Sequence, residues 1–264
     1  MTGTATIIWA TAKNTFISRF TVTPPIFWAL QIVVTSFFTM YFFSLLAEYV
    51  GNPDVTVAFV VIGNAVQSIA ATTLYSVSEI PSVEKHTGTL SSLMQSPAPM
   101  FTVFLGMSLF SIFSGAVAVT LSLGYAAFFF HVSFAGCNFL SMALTLTLTC
   151  LSLTGLGMLI GGAGLHLRTS AIIANVVAYI GLLISGVNFP VSYLPGWVQA
   201  ASACMPLTYG VEAARAAVEG ASPAEILHPL GMMVVLGLAF AVLAWFAFRF
   251  FERLLRHGGK TDAF

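Results

Sequence analysis

Residues 101–128 read FTVFLGMSLFSIFSGAVAVTLSLGYAAF, twenty-eight positions without one Asp, Glu, Lys or Arg. An α-helix needs about 20 apolar residues to cross the hydrocarbon of a bilayer. A segment that enters lipid must also satisfy its backbone polar groups internally, so this stretch predicts a membrane-spanning helix. It belongs to a longer charge-free run from Lys85 to Arg168, too long for one helix. Turn and polar residues collect at Ser96-Pro97-Ala98-Pro99 and from His131 to Asn138, which divides the run into spans at 101–128 and 136–162. The same search over the rest of the chain finds spans at 26–47, 55–77, 170–189 and 229–250. The sequence therefore predicts an all-α polytopic membrane protein with six transmembrane helices. Composition agrees, since 58% of the 264 residues are hydrophobic and 7% charged, where a soluble domain carries about 25% charged residues.

The formal net charge is zero. This removes the basic field that nucleic-acid binding requires. Cys137, Cys150 and Cys204 form no C-x-x-C pair, so neither a zinc site nor a disulfide framework is indicated, and they read as small core residues. Six spans place both termini on one side. That side receives Lys13, Arg19, Lys85, Arg168, Arg249, Arg253, Arg256 and Lys260, and the other side only Arg215. The asymmetry predicts cytoplasmic termini. Glu48, Asp54, Glu212, Glu219 and Glu225 then lie outside. The first apolar run is longer than the h-region of a signal peptide and lacks a small-x-small cleavage site, so it reads as a retained span.

Three segments read as structured parts outside the spans. On a helical wheel, Ala5, Trp9, Ala12, Phe16 and Phe20 share a narrow face within residues 1–22, flanked by Lys13 and Arg19. The pattern predicts an interfacial helix whose aromatic face sinks into the cytoplasmic leaflet. Between the second and third spans, Leu90, Leu93 and Met94 suggest a short amphipathic helix that ends before Pro97 and Pro99. The external segment 190–228 is not hydrophilic and predicts short helices starting at Pro195 and Pro206, folded against the membrane. Glu212, Arg215 and Glu219 share one helical face there and read as a small ion-pair network. Ser222-Pro223-Ala224-Glu225 has capping-box spacing for a helix leading into the last span, with Pro229 expected to bend it.

No span carries a charged residue in its middle, which argues against an ion-coupled carrier. The polar residues inside are the neutral Gln31, Asn64, Gln67, Asn138 and Asn175, each suited to bonding a neighbouring helix or a substrate. His131 and His166 sit at span ends without a second metal ligand nearby. The tail Gly258-Gly259-Lys260-Thr261 imitates the end of a Walker A loop, but position 254, where the first glycine belongs, is Leu254. The chain therefore holds no ATP site, no metal and no cofactor of its own. Gly157 and Gly161 form a G-x-x-x-G pair for close helix contact, within the subunit or across a dimer.

Two local motifs carry a family resemblance. The first is Glu84-Lys85-His86-Thr87-Gly88-Thr89-Leu90, continuing to Leu93, Ser96 and Pro97; the second is Ser185-Gly186-Val187-Asn188-Phe189-Pro190, followed by Leu194-Pro195-Gly196-Trp197 and Pro206-Leu207-Thr208-Tyr209. In this order and at these topological positions the chain resembles the permease subunit of type-2 ABC exporters, the group of drug, antibiotic, nodulation-factor and polysaccharide exporters. The resemblance implies that a helix at 82–96 is the coupling helix, which enters a cleft of a separate ATP-binding subunit. Glu84, Gly88, Thr89, Leu90 and Leu93 are its candidate coupling residues, with the two leucines as anchors. It also implies a second permease subunit, identical or homologous, and ATP with Mg on the partner. The second and fifth spans would line the substrate path, with Asn64, Gln67, Asn175 and Tyr179 as candidates. An uncharged, Phe-rich interior favours a hydrophobic or amphiphilic cargo exported across a bacterial plasma membrane. The competing readings are an ion-coupled carrier, a non-transporting membrane scaffold and a lipid-modifying enzyme.

The charge asymmetry makes a labelling prediction. In a background freed of native cysteines, a cysteine placed at Ser192 reacts with an impermeant thiol reagent in intact cells, and one placed at Thr261 does not. The reverse pattern would invert the topology.

Overall fold

The computed structural model describes residues 3–96, 98–164 and 170–257, and among these the regular structure is entirely helical. His166, Arg168, Pro97 and the Gly258–Thr261 motif lie outside the described residues. Eleven helices follow in order: α1 (Thr4–Val22), α2 (Pro25–Val50), α3 (Val57–Ile69), α4 (Tyr75–His86), α5 (Leu90–Gln95), α6 (Met100–Phe128), α7 (Phe139–Gly164), α8 (Ser170–Ile184), α9 (Gly196–Ala203), α10 (Pro206–Val218) and α11 (Leu227–His257). A π-helical turn, Ala70–Leu74, joins α3 to α4 without a break. Five helices are long and apolar enough to cross a membrane, namely α2, the continuous α3–α4, α6, α7 and α11. This is a polytopic membrane fold.

The central helix is α3, buried without interruption from Val60 to Ala70. Its neighbour α6 offers a stripe of small residues, with Ser108, Ser111, Ala118, Ser122 and Ala126 all buried. Small side chains at that spacing let helix backbones approach closely, which is how helices associate where lipid removes the hydrophobic drive. The periphery reads oppositely. Phe38, Phe42 and Leu45 on α2 and Leu238, Val242 and Phe246 on α11 stay exposed, as lipid-facing side chains should.

The G-x-x-x-G pair acts within the chain. A methyl group on Gly157 would come within 2.9 Å of the Val77 Cβ, and one on Gly161 within 3.3 Å of the Ser78 carbonyl oxygen. The Ser78 hydroxyl donates to the Leu74 carbonyl at 2.7 Å and lies 3.2 Å from the Gly157 carbonyl, so α4 and α7 share a polar contact at their closest approach. Similarly, the Ser152 hydroxyl reaches the Met233 carbonyl at 2.7 Å and ties α7 to α11.

Several expectations are corrected. The second span, read as 55–77, continues to His86, because Glu79 sits on the helix beside Tyr75, whose hydroxyl donates to it at 3.5 Å, and Pro81 is buried rather than placed in a loop. The fifth span, read as 170–189, ends at Ile184. The chain then turns inward, with Val187 fully buried. The single helix read over 82–96 is divided into the end of α4 and a separate α5, because Gly88 adopts φ +74° and stops the helix as glycine commonly does. The face of residues 1–22 expected to enter the leaflet instead packs on α6: Phe16 meets Phe110 edge to face at 5.0 Å, Ala12 is buried, and Trp9 points away, 72% exposed.

The segment 190–228 is a helical hairpin inserted at the end of the bundle. The inner face of α10, including Leu207, Val211 and Ala214, joins the main core with Val66, Ile69 and Leu153. Pro206 opens α10, and the Tyr209 hydroxyl donates to the Ala203 carbonyl at 3.0 Å, closing α9 onto α10. The capping-box bond forms, from the Ser222 N–H to Glu225 at 2.8 Å, and the helix proper begins at Leu227. Pro229 therefore falls in its first turn, where a missing N–H is no loss. Asn138 caps α7, accepting from the Ser141 N–H at 3.1 Å.

Overpacking a tight helix contact costs about 1–3 kcal/mol or more. Gly157→Leu is therefore expected to lower the melting temperature of the detergent-solubilised subunit clearly, whereas Leu238→Ala on the lipid-facing side of α11 leaves it nearly unchanged; equal melting of the two variants would contradict the packing described.

Candidate functional site

A groove of about 280 Å³ lies between α1, α2, the α3–α4 spine and α6. One wall is aromatic. Phe20, Trp28 and Phe110 line it, with Phe20 meeting Trp28 at 5.7 Å and Phe110 at 5.6 Å, both edge to face. The opposite wall is polar and uncharged along most of its length, with Gln31, Thr35, Asn64, Gln67, Ser68 and Thr72. Arg19 and Glu79 also line the groove. The π-helical turn shapes this wall, since Ala71 and Thr72 lie in it and Tyr75 follows directly. An inserted residue that leaves backbone carbonyls in a wider turn is a recurring feature of functional sites in helices.

The four path candidates from the sequence separate here. Asn64 and Gln67 line the groove, three residues apart on one face of α3. Asn175 and Tyr179 are not brought to it; both are exposed on the outer side of α8, Tyr179 at 67%. Sequence reading missed Asn188, whose side-chain oxygen accepts from the Asn64 amide at 2.8 Å. It also missed Tyr75 and Glu79, whose spacing of four on one helix face was the available signal.

At the opposite end of the spine, α4 and α5 enclose a compact knuckle. The Thr87 hydroxyl donates to the Val83 carbonyl at 2.9 Å and lies 2.8 Å from the Thr89 hydroxyl. Thr89 in turn donates to the Glu84 carboxylate, and its hydroxyl lies 3.2 Å from the Glu84 carbonyl oxygen. Glu84 is thereby engaged by its own turn. Leu90 is not an outward anchor: it is 6% exposed and packs with Val77, Met100, Phe104, Met158 and Phe248, residues drawn from α4, α6, α7 and α11. Leu93 is half-buried, and His86 to Thr89, Ser91, Ser92 and Gln95 are exposed.

Arg215 provides a third focus. It forms no ion pair with Glu212 or Glu219 among the contacts of the described residues. Instead it turns inward, donating to the Phe59 carbonyl at 3.0 Å and the Val187 carbonyl at 2.9 Å, with its guanidinium 3.3 Å from the centre of the Phe59 ring. Burial pushes its pKa down to about 9. The bonds join α10, the start of α3 and the turn after α8. Nearby, the Tyr193 hydroxyl donates to Asp54 at 2.6 Å, and that bond raises the phenol above its ordinary value.

This order of elements, with a glycine-terminated knuckle after the second span and an inserted hairpin before the last, is matched by a family profile. The profile of the ABC-2 type transporter family aligns with residues 5–218. The chain belongs to that family. It is a membrane-spanning, permease-type member. It is also similar to the "Probable multidrug ABC transporter permease YbhR" of Escherichia coli strain K12, 29% identical over 119 residues, which is 44% of this chain and 31% of that protein. The protein of that name from Escherichia coli O157:H7 matches with the same figures. The chain thus matches less than a third of the length of these curated relatives. The ABC-2 profile extends through α10, so it takes in the groove, the knuckle and Arg215 together.

The burial of Leu90 generates a test of this ABC-2 permease. Deleting a buried leucine side chain costs about 2–5 kcal/mol, and a carboxylate in its place adds desolvation. Leu90→Asp is expected to reduce the yield of monodisperse subunit in size-exclusion chromatography, while Ser92→Ala and Gln95→Ala elute as the wild type does. A Leu90→Asp subunit that melts like wild type would remove the leucine from the core.

Proposed function

We propose that this permease is the membrane-spanning subunit of an ATP-driven exporter that moves a hydrophobic or amphiphilic compound out across a bacterial plasma membrane. A separate ATP-binding subunit, carrying ATP and Mg, supplies the work, and a second permease, identical or homologous, completes the path. Both termini are cytoplasmic in this reading, and the α4–α5 knuckle faces the ATP-binding subunit.

The observation that carries the proposal is the way the knuckle is built into the bundle. Its outward surface carries hydroxyls, an amide and the His86 imidazole, its turn is fixed by the Glu84, Thr87 and Thr89 bonds, and Leu90 seats it in a core shared by four helices. A load applied at Gly88 or Ser92 cannot be absorbed locally. It is passed into α4, which is continuous with α3 and therefore with Asn64 and Gln67 in the groove. In this scheme Glu84, Gly88 and Thr89 hold the shape of the coupling element, Leu90 and Leu93 anchor it to its own subunit, and Ser91, Ser92 and Gln95 meet the partner. The scheme keeps Asn64 and Gln67 as contacts along the substrate path and assigns Asn175 and Tyr179, outward on α8, to the side facing the second permease.

The test uses the permease co-expressed with its cognate ATP-binding subunit. The isolated permease is expected to hydrolyse no ATP, and the wild-type complex to hydrolyse it and to export. Ser92→Trp is expected to leave the subunit folded and in the membrane while lowering co-purification of the ATP-binding subunit or separating hydrolysis from transport. Full association with full export in both Ser92→Trp and Gln95→Trp would exclude α5 from coupling.

A further inference from the structure

The groove contains two acceptors with nothing to accept from. Asn64 and Gln67 are 5% and 7% exposed. The Asn64 amide nitrogen donates to the Val60 carbonyl at 2.9 Å and to Asn188 at 2.8 Å, and the Gln67 amide nitrogen reaches the Ala178 carbonyl at 3.4 Å. Backbone carbonyls can only accept, so the NH₂ groups are fixed on those sides and the amide orientations are not interchangeable. The Asn64 Oδ1 and Gln67 Oε1 atoms that remain are buried without a hydrogen-bond partner, and both residues line the groove.

Leaving such an acceptor unpaired costs about 1–3 kcal/mol, and lipid offers no donor in compensation. Neighbouring hydroxyls do not supply one either. Ser68 spends its proton on the Ala65 carbonyl at 2.6 Å, Thr72 donates to the Ser68 carbonyl, and Ser114 donates to the Phe110 carbonyl at 3.0 Å. The two amide oxygens are therefore left without a donor, in a groove whose other wall is the aromatic one of Phe20, Trp28 and Phe110.

We infer that the groove is a binding site within a single permease subunit for an amphiphile whose polar end carries N–H donors, an ammonium or amine group above all. The apolar or aromatic body of such a ligand lies against Trp28 and its neighbours, where a cation over the ring face is also favourable, and its N–H groups complete Asn64 and Gln67. Arg19 and Glu79, which also line the groove, set its two charged positions. The inference gives a ligand class to the substrate path proposed above and rests on that reading for its role in transport, but binding itself needs neither ATP nor a partner chain.

The same donor chemistry occurs in a free amine and in the ethanolamine headgroup of a phospholipid. The test uses the full chain in lipid nanodiscs, first of phosphatidylcholine, with two probes of equal charge: 1-naphthylmethylammonium, which has three N–H donors, and its N,N,N-trimethyl derivative, which has none. The primary ammonium is expected to bind saturably and at least tenfold more tightly than the quaternary one. Gln67→Met, close in shape but without the acceptor, is expected to abolish that preference while melting no lower than wild type, since it removes an unpaired group. Repeating the titration in phosphatidylethanolamine nanodiscs distinguishes the sources: weaker apparent binding there that Gln67→Met relieves identifies the lipid headgroup as an occupant, and unchanged binding identifies a free amphiphile. Equal binding of the two probes to the wild type, or a Gln67→Met subunit that melts lower yet keeps the tenfold preference, would overturn the assignment. Because no ATP-binding subunit is present, these outcomes are independent of whether the exporter reading holds.

Discussion

A polar group inside hydrocarbon has no water to turn to, and the architecture follows from how the central spine meets that constraint. Along α3 and α4 the solutions change with position. Ser78 bonds its own helix and lies against Gly157 of α7, Thr73 lies 3.2 Å from the Ser111 carbonyl of α6, and Asn64 and Gln67 spend their donors on Val60, Asn188 and Ala178. Each bond brings a neighbouring element to a definite place on the spine. The small-residue stripe of α6 and the glycines of α7 then bring the helices close enough for these bonds to form.

The spine also joins the two ends of the molecule. At one end Arg215 uses backbone carbonyls rather than a carboxylate, so the hairpin of α9 and α10 is fastened to Phe59 and Val187 without importing a second buried charge. At the other, the knuckle between α4 and α5 stands on Leu90. Between them lies the π-helical turn, the one place where the spine's hydrogen-bond ladder widens among the described residues.

Much of the fold was legible because hydropathy and turn chemistry are local. The span read as 101–128 begins at Met100 in the structure, the break at His131–Asn138 falls between α6 and α7, and Pro195 and Pro206 stand where α9 and α10 begin. The misreadings share one cause, a side chain whose partner lies far along the chain. The reading that ends the second span at 77 stops just short of Glu79, which the structure keeps on the helix beside Tyr75 and in the groove, and no local pattern reveals a groove. Leu90 looked like an outward anchor because its core is assembled from four helices. Arg215 had carboxylates at the right spacing, yet two backbone carbonyls and a phenyl ring offered it a drier seat. For the path residues, helix membership was readable and helix orientation was not: Asn64 and Gln67 turn into the groove, and Asn175 turns out.

The outward face of α8 has a consequence for what can lie beside it. Ile172, Val176, Tyr179, Ile180 and Leu183 are all exposed there. Acyl chains are as apolar as these side chains, so exchanging lipid for another protein surface gains nothing from the segregation of oil and water, and a neighbour at this face must outcompete lipid by fit and by what it offers the one phenol hydroxyl.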